Sequence, residues 1–240
     1  MTVFNENRLT GLMVLLAVLV FNGCATVPFS STERVSVDDV DPEVARMTFQ
    51  DGQPGDYQLI NTIVFRYRWH TQAAVGYLTV EHAQDRFALA AMTHMGVKLL
   101  ELQGSGGRVK CSYALAEFSE HLDDVAAAIG LDIRHMYFNS VPSRDALVEK
   151  KRREIIYTER TSSGLTEFIF AGQQPVLIEK RLYEQGKRIC RVRYYEYQSR
   201  GQKMFPGGIL LENDRHGYRL EVHLKEIISM DSSERMGRSE

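Results

Sequence analysis

The chain has 240 residues, 44% of them hydrophobic and 25% charged, with a formal net charge of -2. That balance speaks against a nucleic-acid partner, which needs a net basic surface or stripe. The length allows one large domain with a buried core, and no CxxC or HxxxH pair gives a zinc-ligand spacing.

The N-terminus has the layout of a secretory signal. Arg8 supplies a positive charge, the apolar run Gly11–Phe21 follows, and Gly23 precedes Cys24. A run of this length fits a signal core, whereas a membrane-spanning helix needs about 20 residues. The order apolar, Gly, Cys, Ala resembles the lipobox, in which the cysteine becomes a diacylglyceryl thioether before cleavage on its N-side. Phe21 in place of leucine, the bulky Asn22 and the acidic Glu6 depart from that pattern. A plain secretory signal and an uncleaved N-terminal anchor are the alternatives. Acyl chains on Cys24, at about 0.8 kcal/mol per buried CH₂, would hold the chain on a bilayer. Ala25, in place of the aspartate that retains lipoproteins in the inner membrane, implies the periplasmic face of the outer membrane. Removing residues 1–23 takes away Glu6 and Arg8, so the net charge stays at -2. The remaining thiols, Cys111 and Cys190, either pair in an oxidising compartment or stay as two unpaired buried cysteines.

Residues 24–55 mix Ser, Thr, Asp, Pro and Gly with few apolar residues. They read as a lipidated N-terminus and tether, with a short helix around Pro42–Met47. From Ile63 to Trp69 the odd positions Ile63, Phe65, Tyr67 and Trp69 are apolar, while Arg66 and Arg68 alternate with them, a period-two strand. Strands over Gly76–His82, Arg86–Met92, Met95–Leu102 and Arg108–Ala114 continue as a meander, broken at Ala83-Gln84-Asp85 and Gly104-Ser105-Gly106-Gly107. Phe118, Leu122, Val125, Ala126 and Ile129 then recur at helical spacing. Ser119 is placed to be the N-cap and Gly130 the stop. A second helical piece is expected over Ser143–Lys151, with the basic run Lys150–Arg153 as its solvated end.

Strands resume at Glu154–Glu159, Leu165–Phe170, Val176–Tyr183, Arg188–Tyr197, Gly208–Leu211 and Tyr218–Lys225. Roughly ten strands around a helical insert predict a mainly β chain whose antiparallel sheet curves strongly around a helix. Helical segments are out of place in an outer-membrane barrel. The last residues, 229–240, are polar and aperiodic and read as a disordered tail.

The stretch DRFALAAMTHMGVKLLELQGSGGRVKC, Asp85 to Cys111, resembles the signature region of the outer-membrane lipoprotein receptor LolB and its relatives. Phe205-Pro206-Gly207-Gly208-Ile209-Leu210-Leu211, a polar turn, then Tyr218-Arg219-Leu220-Glu221-Val222 is similar to that family's final hairpin. The resemblance spans residues 57–228 by element order and is nearer to lipoproteins around LolB than to LolB itself. It implies an unclosed barrel of about eleven antiparallel strands with a helical lid, filling residues 56–228, and an apolar hollow for the acyl chains of lipoproteins in transit. LolB's protruding hydrophobic loop has no clear counterpart. The nearest candidate is Met204-Phe205-Pro206, which equally reads as packed core near a turn.

Catalysis asks for a nucleophile, a base and an orienting group. No G-x-S-x-G occurs, and His70, His82, His94, His121, His135, His216 and His223 stand in no nucleophile motif. Gly104–Gly107 lacks the Lys-Ser/Thr ending of a phosphate loop and reads as a hairpin turn. The sequence therefore predicts no enzyme, no cofactor and no metal. An acyl chain draws its affinity from buried area. Phe65, Tyr67, Trp69, Leu78, Val80, Leu220 and Val222 are the candidates to line a cavity for a lipid or acylated molecule; alternatively they fill a dry core. In Tyr194-Tyr195-Glu196-Tyr197 the tyrosines point to both faces of a strand. The alternative function is an accessory lipoprotein that docks a protein partner on the same scaffold.

Overall fold

The computed structural model describes residues 27–116, 122–162 and 164–229. The signal segment, Cys24, Phe118, Ser119, His121 and the tail from residue 230 lie outside them.

The chain enters through helix α1 (Pro42–Asp51), capped by Asp41, whose side chain accepts from the backbone of Glu43 at 2.8 Å and Val44 at 3.2 Å, with Pro42 in the first turn. Phe49 is 1% exposed and meets the Phe170 ring edge-on at 5.0 Å. Val37 is fully buried, its backbone nitrogen donating to Arg152 O at 3.0 Å. From Ser31 onward the described chain forms one unit. Residues 31–55, read from the sequence as part of a tether, thus belong to the same compact unit as the strands. Composition misled here because a few apolar residues at the right helical spacing suffice to dock a polar segment.

Strands β1 (Tyr57–Tyr67), β2 (His70–Glu81), β3 (Arg86–Met92), β4 (Lys98–Ser105) and β5 (Arg108–Ala114) form the expected meander. Helix α2 (Leu122–Tyr137) follows, and then a second meander: β6 (Leu147–Lys151), β7 (Glu154–Arg160), β8 (Leu165–Ala171), β9 (Val176–Glu184), β10 (Lys187–Arg200), β11 (Lys203–Asn213) and β12 (Tyr218–Ser229). All pair antiparallel in one twelve-stranded sheet, ordered β5-β4-β3-β2-β1-β12-β11-β10-β9-β8-β7-β6. The last strand pairs with the first, Phe65 opposite Leu220 and Tyr57 opposite Ser229. The two edges are β5 and β6, and the connection between them carries α2. The sheet is mainly β, curved and not closed into a barrel, as the sequence predicts.

Pairing aligns side chains across the sheet in rows. One row, Phe168–Lys180–Val192–Leu211–Leu220–Phe65, shares the face toward α2. The next, Glu167–Arg181–Arg191–Glu212–Arg219–Arg66, lies on the other face. It sets like charges opposite each other at Arg181/Arg191 and Arg219/Arg66, an unfavourable pairing by itself. Glu179 resolves the first by binding Arg181 at 2.5 Å and Arg191 at 2.9 Å. Glu221 resolves the second, with Arg66 at 3.2 Å and Arg219 at 3.1 Å. Burial pushes the Glu179 carboxyl up, but hydrogen bonds from Arg191 and Arg181 outweigh it and hold its pKa below the ordinary value.

Two further expectations change, and the state of the cysteines, left open by the sequence, is decided. The helix predicted over Ser143–Lys151 is strand β6, and Arg152-Arg153 form its turn into β7. Pairing along the exposed edge of β7 overrides the local helical pattern. Gly130 does not stop α2: it is buried in mid-helix, where a Cβ would stand 2.3 Å from Val109 Cγ2, so the glycine lets the helix approach β5. Cys111 and Cys190 are both free, the first half-buried on β5 and the second buried on β10.

Candidate functional site

Between α2 and the inner face of β1–β4 and β12 lies a cavity of about 300 Å³, at the lower end of the ~300–1,000 Å³ usual for small-molecule sites. Ile63, Leu89, Leu100, Ile129, Ile133 and Met136 give it a mostly apolar wall. Burial grades along it. Gln72 is exposed and Phe65, Ala74 and Leu99 are half-buried, whereas Asn61, Leu78, Ile133 and Met136 are buried. The cavity thus opens at the Phe65–Gln72 end and closes near Asn61, four residues along β1, roughly 13 Å at about 3.3 Å per residue.

Four of the seven candidate residues, Phe65, Leu78, Leu220 and Val222, are on its wall. Three are not. Val80 is fully buried elsewhere in the core. The Tyr67 ring carries the Arg68 guanidinium 5.1 Å from its centroid. Trp69 is 80% exposed, because Arg68 (φ 53°) and Trp69 form the two-residue turn into β2 and end the alternation that seemed to aim Trp69 inward. The sequence reading missed the helix side, Val125, Ala128, Ile129, Asp132, Ile133 and Met136, and the β3–β4 side. Their helical spacing continues past Gly130 and is legible once that glycine is read as a packing contact.

What fixes α2 across the opening is polar. Lys180, 3% exposed, donates from Nζ to the carbonyls of His135 at 3.0 Å and of Phe138 and Asn139 at 3.1 Å, closing the helix end. A cation there satisfies orphan carbonyls and the helix dipole; burial lowers its pKa to about 8. Tyr194 Oη donates to Met136 O at 3.0 Å. Tyr197 Oη, brought to the inner face past Glu196 (φ 52°), donates to Leu177 O at 2.7 Å. These tyrosines anchor backbone and do not line the cavity. Midway along α2, Asp132 is 1% exposed, accepts from Tyr218 Oη, and from Asn213 Nδ2 at 3.3 Å. Burial raises its pKa to about 6 against those hydrogen bonds. One turn on, burial and the nearby Lys180 and Arg215 charges lower His135 to about 4. Among the described residues no cluster of His, Cys, Asp or Glu has the arrangement of a metal site.

Met204-Phe205-Pro206 is not a protruding loop. It lies in β11, with Phe205 6% exposed and edge-on to Tyr57 at 5.4 Å. Among the described residues, the exposed apolar side chains at the open end include Trp69 and, on the β3–β4 turn, Val97 and Met95, the last 88% exposed.

No protein-family model matches the chain, and no curated protein sequence matches it. Solved structures do match. A LolA superfamily protein from Nitrosomonas europaea aligns over 82% of this chain and 97% of its own, with a TM-score of 0.55 at 11% identity. This chain has the LolA superfamily fold. A domain ascribed to outer membrane lipoprotein sorting, from Vibrio parahaemolyticus, aligns over 80% and 94% with a TM-score of 0.48 at 10% identity. A DUF1329 family protein from Desulfovibrio piger aligns over 79% and 92% with a TM-score of 0.49 at 9% identity. On the LolA superfamily fold of this chain, the cavity occupies the space between the open sheet and the helix that crosses it.

Proposed function

We propose that this chain is a lipid-anchored protein of the bacterial envelope that holds one aliphatic chain of a lipid or acylated molecule in the cavity under α2, without catalysis. The observation that carries the reading is the apolar cavity open at one end, with its wall continuous from β12 through β1 to β4. Such a site gains about 25 cal/mol per Å² of apolar surface removed from water and needs few polar groups. The LolA superfamily fold supports the reading. Cys24, after a signal over residues 1–23, supplies the anchor, and Ala25 directs it to the periplasmic face of the outer membrane. Trp69 and Met95, at the open end, would meet the bilayer surface while the cargo passes.

Filling the cavity tests this. Ala128 lines it from the helix, and Ala128→Trp is expected to abolish displacement of the neutral fluorophore N-phenyl-1-naphthylamine by aliphatic lipids while the far-UV circular dichroism stays that of the β-rich parent. Undiminished binding in a folded Ala128→Trp protein would remove the cavity as the site.

A further inference from the structure

The cavity is not uniformly apolar, and its closed end carries a specific chemical demand. Asn61 lines it, is 2% exposed, and its Oδ1 makes no hydrogen bond. The residue sits where β1 shifts register against β12, between Ile60 and Asn61, an irregularity of the kind that re-aims a side chain. Its polar neighbour is the Tyr137 hydroxyl, whose ionisation burial opposes and the Asn61 side chain favours. Opposite it on β2 stands Gly76, with no side chain to reach the amide. An amide left in such a place costs stability unless something completes it. The charge on the wall matters too. Asp132 is a lining residue, and no described lining residue is Lys or Arg. An ionised headgroup drawn into this space would lose its hydration, meet a carboxyl group and find no cation.

We propose that the occupant places a neutral hydrogen-bonding group, a hydroxyl or an amide, against Asn61 inside the cavity, and that free fatty carboxylates are poor ligands. Hydroxyl and amide groups each donate and accept, so they complete the Asn61–Tyr137 pair whichever way the side-chain amide is turned. The inference rests on the cavity reading above and narrows the ligand class within it.

Four eight-carbon probes separate the possibilities: 1-octanol, octanamide, octane and octanoate, each displacing N-phenyl-1-naphthylamine from the full chain at pH 8. Octanol and octanamide are expected to bind about ten-fold or more tightly than octane, the factor a completed buried hydrogen bond gives, and octanoate more weakly than either. In Asn61→Leu the preference for octanol over octane should vanish, with octane binding at least as well as before. Octane or octanoate equal to octanol on the parent protein overturns the inference and leaves the cavity reading standing. Failure of all four to displace the fluorophore, in a protein whose thermal unfolding is cooperative, overturns both. The comparison on the parent protein decides the question even if Asn61→Leu does not fold.

Discussion

At Lys180 a buried ammonium group satisfies three carbonyls at the end of α2, so one residue on β9 holds the far end of the helix that covers the cavity. Lys180→Met removes those three hydrogen bonds, leaving Tyr194 on the His135 carbonyl, at a cost of about 1–3 kcal/mol, read as a lower urea midpoint with an unchanged slope. Asp132 gives a prediction with a sign in pH. Its pKa is about 6 in the fold against an ordinary 3.8, so between those values the folded state binds more protons than the unfolded one. Its contribution to stability is therefore greatest below about pH 4 and declines as pH rises through 6. Asp132→Asn lacks that decline. Relative to the parent it should gain up to about 3 kcal/mol between pH 4 and pH 7, measured as the difference in unfolding free energy at the two pH values. His135, with the opposite shift, is common to both proteins and drops out of the comparison. A pH-independent difference would mean that Asp132 is not a buried group neutralised by its surroundings. At Trp69 the expectation is nearly nothing: on a turn and 80% exposed, its replacement by Ser should change stability by less than about 0.5 kcal/mol and leave aliphatic binding intact, whereas Phe65→Ser should weaken binding.

Among the elements, α1 is the one whose importance the composition hides. Its Phe49 is enclosed by Phe170 and Tyr197, and Phe49→Ala should cost about 3–5 kcal/mol, measurable as a large fall in the denaturant midpoint. A loss under about 1 kcal/mol, far below the usual cost of truncating a buried ring, would return residues 42–51 to the tether. Much of the sheet was legible in the sequence because strands such as β12 are half-buried and alternate cleanly. Tyr218, Leu220, Val222 and Leu224 make an apolar face against Arg219, Glu221, His223 and Lys225 on a polar one, where Glu221 is buried between Arg66 and Arg219. The edge strand β6 was not legible, although its partner β7 was. All five residues of β6 are exposed, so no alternation marks it and only its partner makes it a strand. The helix was legible in kind but not in length, because Gly130 has two physical readings, a helix end or a close approach, and only Val109 across the gap decides between them. The cavity wall was half legible for the same reason: its strand side follows from period two, while its helix side depends on how far α2 runs.

At the scale of the molecule, β12 pairing with β1 joins two meanders into one sheet. The single long connection, from edge β5 to edge β6, carries the helix over the open side. A hollow follows from that topology, since twelve strands curve farther than one helix fills. The proposed anchor and the hollow are separable. Cys24→Ser should release the protein from membranes under a high-salt wash, and the domain from Ser31 onward should still unfold cooperatively. Retention of Cys24→Ser in the washed membrane fraction would mean that the lipid anchor is the wrong explanation. The hollow is tested most directly by mass spectrometry of lipid extracted from the purified full chain under conditions that leave covalent acyl groups in place. Close to one extractable aliphatic molecule per protein chain is expected, lost in Ala128→Trp. A parent protein that carries none, and binds none on incubation with lipid vesicles, would contradict the claim.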